Sequence, residues 1–259
     1  MLVQLSNTAV RVLLAPACAG CGALLSRPLT EVICLDCWSG IETLAAPWCE
    51  QCGDRLAQDS GATRCGRCLE LPRRFERARS AGIYDGTLRD LIHAFKYQRR
   101  RQLARPLARL IARTAAAELT DADAVVPVPL HPRRYLTRGF NQADDLAREL
   151  GVPVWRVLKR RRHGVPQAGL PAERRLDNVR GAFGLRARWT TRPFARALRN
   201  RTFVLIDDVM TTGATVEACS EALLDAGARR VRVLTVARAV AAPRPPPPLP
   251  PTPSTVRRR

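Results

Sequence analysis

The sequence predicts an α/β domain with a mostly parallel sheet, preceded by a small cysteine-rich module built around two four-cysteine sites. Three observations predict it. From residue 83 onward, short apolar runs alternate with segments of helical period, the pattern of strands and helices packed in layers. Eight of the nine cysteines form four C-x-x-C pairs before residue 70. Late in the chain, an apolar run ends in two aspartates and turns at once into a helix pattern.

With 259 residues the chain has room for one medium domain and a small one. Its 46% hydrophobic and 25% charged residues exclude a wholly disordered or collagen-like chain. The formal charge of +20 favours phosphate-bearing partners. Only Lys96 and Lys159 are lysines, so nearly all of that charge is arginine. No run approaches the roughly 18 apolar residues that span a bilayer. Val10 to Ala17 is too short for a secretory signal and carries Arg11. The expectation is a cytoplasmic protein with no membrane insertion.

The pairs are Cys18/Cys21, Cys34/Cys37, Cys49/Cys52 and Cys65/Cys68, and Pro16-x-Cys18-x-x-Cys21-Gly22 returns as Pro47-x-Cys49-x-x-Cys52-Gly53. Two similar modules therefore lie in tandem. Zn²⁺ takes four soft ligands in a tetrahedron, and two tight C-x-x-C turns supply them. Sequential pairing puts one ion on Cys18, Cys21, Cys34 and Cys37 and another on Cys49, Cys52, Cys65 and Cys68; interleaved pairing satisfies the same spacing. Four thiolates leave no open coordination position, so both ions are expected to be structural, and folding of so small a module to depend on them. Trp38 and Trp48 are expected to pack these modules. The module is expected to span residues 12–71, the larger domain 76–240, and a Pro-rich disordered tail 241–259.

In the larger domain, Ile83 to Gly86 reads as a strand end and turn, and Leu88, Leu91, Ile92 and Phe95 give a helix over 87–97 with Thr87 as its cap. A second helix is expected from Leu103 to Leu119. Ala124 to Leu130 reads as a strand running into a loop, Arg133 to Arg138 as a basic loop, Gln142 to Leu150 as a helix and Val152 to Val157 as a short strand. Residues 159–180, basic with interspersed glycines and prolines, read as a mobile loop. Phe203 to Ile206 is the clearest buried strand, 215–226 a helix and Val231 to Val236 another strand. His93, His131 and His163 are read as helix or loop residues, and Cys219 as facing the inside of its helix.

The sharpest functional signal is Val204-Leu205-Ile206-Asp207-Asp208-Val209-Met210-Thr211-Thr212-Gly213-Ala214-Thr215. An apolar strand delivers two carboxylates at its C-terminal edge, where open α/β sheets bind ligands. Backbone N–H groups of the turn and helix start can hold a phosphate, with Thr211, Thr212 and Thr215 adding hydroxyls. The aspartates can accept hydrogen bonds from a sugar diol, and their charge favours Mg²⁺ or a developing positive charge.

On these residues, the chain over 12–240 resembles the bacterial competence-protein ComF family, in which a double zinc ribbon precedes a type I phosphoribosyltransferase-like domain. The Asp207-to-Thr215 segment resembles the family's motif for phosphoribosyl pyrophosphate. Val126-Pro127-Val128-Pro129-Leu130 with Arg138-Gly139-Phe140-Asn141-Gln142-Ala143 resembles its most distinctive block, at the place of the pyrophosphate loop. Lys96-Tyr97 matches a shorter signature, and Gln167, Leu170, Arg174 or Arg175, Asn178 and Phe183 match the flexible-loop region, with Gly164 where many members carry Thr. The resemblance implies that Asp207 and Asp208 engage the ribose hydroxyls and Thr211 to Thr215, including Gly213 and Ala214, embrace the 5-phosphate. Arg133, Arg134 and Arg138 would neutralise departing pyrophosphate, and Arg174 or Arg175 would reach in from the loop. The implied ligand is Mg²⁺-bound phosphoribosyl pyrophosphate and the implied reaction transfer to a nitrogenous acceptor. A second function class stands beside it: a non-catalytic factor that handles single-stranded DNA or bridges proteins of the DNA-uptake machinery.

Overall fold

The computed structural model describes residues 15–44, 46–58, 61–161 and 181–240. The cysteine-rich part carries two short helices, α1 (Leu35–Ser39) and α2 (Gly66–Glu70). The larger part follows as β1 (Arg77–Ile83), α3 (Gly86–Tyr97), α4 (Ala104–Thr114), α5 (Ala116–Leu119), β2 (Ala124–Pro127), α6 (Pro132–Arg138), α7 (Gln142–Arg148), β3 (Leu158–Arg160), β4 (Phe183–Leu185), α8 (Arg192–Leu198), β5 (Thr202–Met210), α9 (Ala214–Asp225) and β6 (Arg230–Arg238).

Four strands form one sheet in the order β1-β6-β5-β2, every pair parallel. The predicted α/β class with a mostly parallel sheet is the one observed. β5 and β6 are buried along most of their length, as strands covered on both faces must be, and their side chains supply both apolar layers. On one face Val204, Ile206, Leu234 and Val236 meet Leu91, Phe95 and Leu107 from α3 and α4. On the other, Phe203, Leu205 and Val233 meet Val216, Cys219 and Leu223 of α9. β3 and β4 form a separate antiparallel pair.

The two cysteine clusters straddle the β1 edge, one for each layer. Cys18, Leu25, Ile33, Cys37 and Ile41 join the α3/α4 core, while Cys49, Cys52 and Cys68 join Phe75, Ala78 and the α9 core. The outward N–H groups of β1 are satisfied on the way: Ala78 donates to the Gln51 carbonyl at 2.7 Å and Ile83 to that of Glu42 at 2.9 Å. An edge strand that would otherwise template aggregation is thereby covered. Gly53, at φ +70°, passes so near that a Cβ would sit 2.7 Å from the Ala78 carbonyl oxygen.

Arg238, at the end of β6 and almost fully buried, fastens the second cluster. Its guanidinium donates to the Cys52 carbonyl at 2.7 Å and to Asp54 at 3.1 Å. Burial alone would raise the Asp54 carboxyl, but Arg238 and Arg67 hold it below the usual carboxylate range.

Several elements differ from their sequence expectation. Asp85, not Thr87, caps α3, its carboxylate accepting from the Gly86 N–H at 2.8 Å. The helix expected from Leu103 to Leu119 breaks at Ala115, whose φ of −134° separates α4 from α5. Arg133 to Arg138 is helical, not a loop: Pro132 presets the first turn and Gly139, at φ +80°, closes the last. The strand expected over Val152 to Val157 reduces to one bridge between Val125 and Val154. Trp38 packs as expected, whereas Trp48 is partly exposed with Arg79 over its ring. The mobile loop expected over 159–180 starts instead as a strand, because Lys159 and Arg160 pair in β3 with Gly184 and Phe183 of β4; residues 162–180 and the tail 241–259 lie outside the described residues. Among the described residues, no helix is long and apolar enough to cross a membrane.

Candidate functional site

β5 is a central strand, so its C-terminal end opens between neighbours on both sides. Its apolar run keeps it in the core to Ile206, after which Asp207 and Asp208 emerge half-buried. The Asp208 N–H donates to Asp207 Oδ1 at 2.8 Å. Burial and the adjacent Asp208 charge push the Asp207 carboxyl up to about 7. Lys96, from the last turn of α3, places its Nζ 2.7 Å from Asp208 Oδ1, with both side chains largely shielded from water.

Thr211 and Thr212 then turn the chain into α9 through Gly213, which sits at φ +80° with its bare Cα against Met210. A Cβ there would meet Met210 Cε at 2.9 Å. Gly213→Val is therefore expected to destabilise the protein by about 1–3 kcal/mol and misplace the turn, measurable by urea unfolding. Gly213 offers no side chain to cap α9; only the Thr212 hydroxyl accepts from Ala214 N–H, at 3.4 Å. A twelve-residue helix thus presents first-turn donors and the positive end of its dipole beside the aspartates.

Opposite lie the segment after β2 and helix α6. His131 caps α6, its Nδ1 accepting from Arg133 N–H at 3.2 Å, and burial together with Arg160, Arg133 and Arg134 lowers its pKa, which keeps that nitrogen an acceptor. Arg138 is held from two sides, donating to Gln142 Oε1 and to the Tyr97 hydroxyl, each at 3.1 Å, while stacking 4.7 Å above the Tyr97 ring. Asn141 donates to the Val128 carbonyl at 3.0 Å and fixes the start of α7. Arg160 on β3 faces Arg134, and burial with that like charge lowers its pKa. These walls enclose a cleft of about 300 Å³ lined by Lys96, Tyr97, Arg134, Arg138, Gln142, Arg160, Asp207, Asp208, Thr211 and Thr215.

Of the residues expected from sequence, Asp207, Asp208, Thr211, Thr215, Arg134 and Arg138 share this cleft, with Thr212, Gly213 and Ala214 in the adjoining turn. Arg133 belongs to α6 but does not line it. Arg174 and Arg175 lie outside the described residues. Lys96 and Gln142, quoted from the sequence only within family signatures, and Arg160, not singled out there, also line the cleft. Lys96 carried a legible signal, as one of two lysines in a chain that otherwise uses arginine.

The cysteines resolve into the two sequential sets: Cys18, Cys21, Cys34 and Cys37, and Cys49, Cys52, Cys65 and Cys68, with the four Sγ atoms of each set within 4.8 Å of one another. None is in a disulfide. The fit to a metal rests on more than spacing. Cys18 Sγ accepts from the N–H groups of Cys34 at 3.2 Å and Gly20 at 3.4 Å, and these donors override burial to bring its thiol down to about 6. Cys49 follows the same logic, reaching about 7. A thiolate with backbone donors is the form that binds Zn²⁺. Both clusters can hold a structural ion.

Known proteins match in both parts. Residues 9–69 match the double zinc ribbon domain, and residues 102–247 match the phosphoribosyl transferase domain. Competence protein F of Haemophilus influenzae is 34% identical over 80% of this chain and 90% of its own length. A DNA utilization protein of Escherichia coli K12 is 35% identical over 73% of this chain and 83% of its own. Among solved structures, an allosteric regulatory enzyme of purine biosynthesis is 22% identical with a TM-score of 0.33, across 51% of this chain and 25% of that one. With cysteine clusters in the matched ribbon and the acidic strand end in the matched transferase segment, the chain belongs to the ComF competence-protein family, a double zinc ribbon joined to a phosphoribosyl transferase domain.

Proposed function

We propose that the cleft binds phosphoribosyl pyrophosphate and that the protein transfers its phosphoribosyl group to a nitrogenous acceptor. The observation that carries this is the junction of the Asp207/Asp208 pair with the uncapped start of α9, facing arginines across a 300 Å³ cleft. A sugar phosphate matches that layout end to end. The ribose hydroxyls donate to the carboxylates, while the 5-phosphate takes the first-turn N–H groups and the hydroxyls of Thr211, Thr212 and Thr215. The diphosphate faces Arg134, Arg138 and Arg160, whose mutual repulsion an anion relieves.

In the transfer, the bond between ribose C1 and the diphosphate oxygen breaks and its electron pair leaves with pyrophosphate. The acceptor nitrogen bonds to C1 and sheds a proton to solvent. Positive character on the ribose is stabilised by the carboxylates beneath it, and the arginines stabilise charge on the leaving group.

The acidic pair does not fit a protein-held Mg²⁺, because the Lys96 ammonium already occupies Asp208. No step above runs through a metal. The two-part organisation, a ribbon over 12–71 and a transferase over 76–240, belongs to the same reading.

A thermal-shift series tests it. Phosphoribosyl pyrophosphate is expected to raise the melting temperature more than ribose 5-phosphate, and ribose 5-phosphate more than inorganic phosphate. Equal shifts from all three, or none, would contradict a site that reads the whole ligand.

A second reading has support of its own. Relatives carry the names competence protein and DNA utilization protein, and Tyr97 and Tyr135 stand exposed beside the arginines of α6. An aromatic and basic rim of this kind suits single-stranded DNA or a partner in DNA uptake. Binding of labelled oligonucleotide that survives saturation of the cleft would favour it.

A further inference from the structure

We infer that Lys96 is the resident counter-cation of this site, so that the cleft takes its sugar diphosphate without a divalent metal. The inference rests on the phosphoribosyl reading and specifies the chemistry of the same cleft.

Lys96 lies in the last turn of α3, a helix packed on the same sheet that carries the acidic pair, so its ammonium comes from a different element of the domain. Its position is fixed by packing. Leu88, Leu91, Ile92 and Phe95 bury the inner face of α3, and the next residue, Tyr97, is tied through its hydroxyl to Arg138. The ammonium is therefore delivered against Asp208 by a rigid element, 2.7 Å from Oδ1. A divalent cation seeking that oxygen would meet an ammonium within a few ångströms, a repulsion that a shielded site magnifies.

The charge count of the cleft points the same way. Lys96, Arg134, Arg138 and Arg160 line the cleft with Asp207 and Asp208, an excess of positive charge even with both carboxylates ionised. Gln142, buried, adds an Nε2 donor that has no partner among the described residues. Among the described residues the groups that touch the acidic pair are donors, Lys96 Nζ on Asp208 and the Asp208 N–H on Asp207. The cleft is already charged to receive a diphosphate.

Calorimetric titration with phosphoribosyl pyrophosphate, in buffer freed of Mg²⁺ by chelating resin and in the same buffer with millimolar Mg²⁺, tests this on the zinc-loaded protein. Wild type is expected to bind in both, with Kd values within about threefold of each other. Lys96→Gln is expected to lose at least about tenfold without Mg²⁺ and to recover part of it when Mg²⁺ is added. Lys96→Arg, which keeps the charge, is expected to stay nearer wild type without metal; its melting temperature and that of Lys96→Gln report folding. Wild-type binding that requires Mg²⁺, or a folded Lys96→Gln indistinguishable from wild type without it, overturns the inference and leaves the phosphoribosyl reading standing. Absence of binding in both buffers removes the phosphoribosyl reading itself.

Discussion

Stripping metal from the second cysteine cluster, or replacing Cys49 by serine, is expected to unfold more than the ribbon that contains it. Structural zinc contributes roughly 10–16 kcal/mol to small cysteine modules, at least the size of a domain's whole stability of about 5–15 kcal/mol. Here the module is not a detachable bead. Cys49, Cys52 and Cys68 are buried in the same apolar layer as Phe75, Phe203 and Leu205. When that cluster opens, the Ala78 N–H loses Gln51, and the buried Arg238 loses both the Cys52 carbonyl and Asp54. An uncompensated buried charge at the end of β6 costs about 3–5 kcal/mol on its own. Chelator titration should thus show zinc release and loss of near-ultraviolet circular dichroism in step. Metal content should fall from two ions per chain in wild type to one or none in Cys49→Ser, while Cys219→Ser, outside both clusters, should retain two. Zinc release that leaves the melting of the larger domain unchanged would contradict the shared core.

The second large effect concerns the acidic pair. Replacing Asp207 and Asp208 by asparagine is expected to weaken phosphoribosyl pyrophosphate binding at least about a hundredfold, since both acceptors for the ribose diol lose their charge. Stability should move the other way at Asp207. Its carboxyl is raised from 3.8 to about 7, so the folded state holds the proton more tightly than the unfolded one. That contribution is fully present below pH about 4, fades as pH rises through 7, and is gone above it. Asp207→Asn, which cannot ionise, should melt with wild type at pH 4 and roughly 3–8 °C above it at pH 8. The reverse order would show that the carboxylate is stabilised in the fold. A residue that improves binding at the expense of stability is what a ligand site requires.

The parts legible in the sequence were those written in contiguous residues. The period of Leu88, Leu91, Ile92 and Phe95 gave α3, the apolar run from Phe203 gave β5, and Asp207 to Thr215 lay together on one strand–turn–helix. The α6 helix has its ends marked by Pro132 and Gly139 but no apolar period between them, because its seven residues bury none of their side chains. Nor did the sequence mark the break between α4 and α5, which falls at a buried alanine without glycine or proline. Cysteine spacing allowed two pairings, and only the distances between Sγ atoms select the sequential one. Lys96, on α3, and Arg160, on the separate β3/β4 pair, come to the same cleft only through the packing of elements distant in the chain. Such long-range assembly has no local signature.

The central claim is that the Asp207/Asp208 cleft is a phosphoribosyl pyrophosphate site. Calorimetric titration of zinc-loaded wild type beside a folded Asp207→Asn/Asp208→Asn variant tests it most directly. Saturable binding at one site per chain, lost in the variant, is the predicted result. No binding by well-folded wild type, or equal binding by the variant, would contradict it and turn the weight to the second reading proposed above, a non-catalytic partner in DNA uptake.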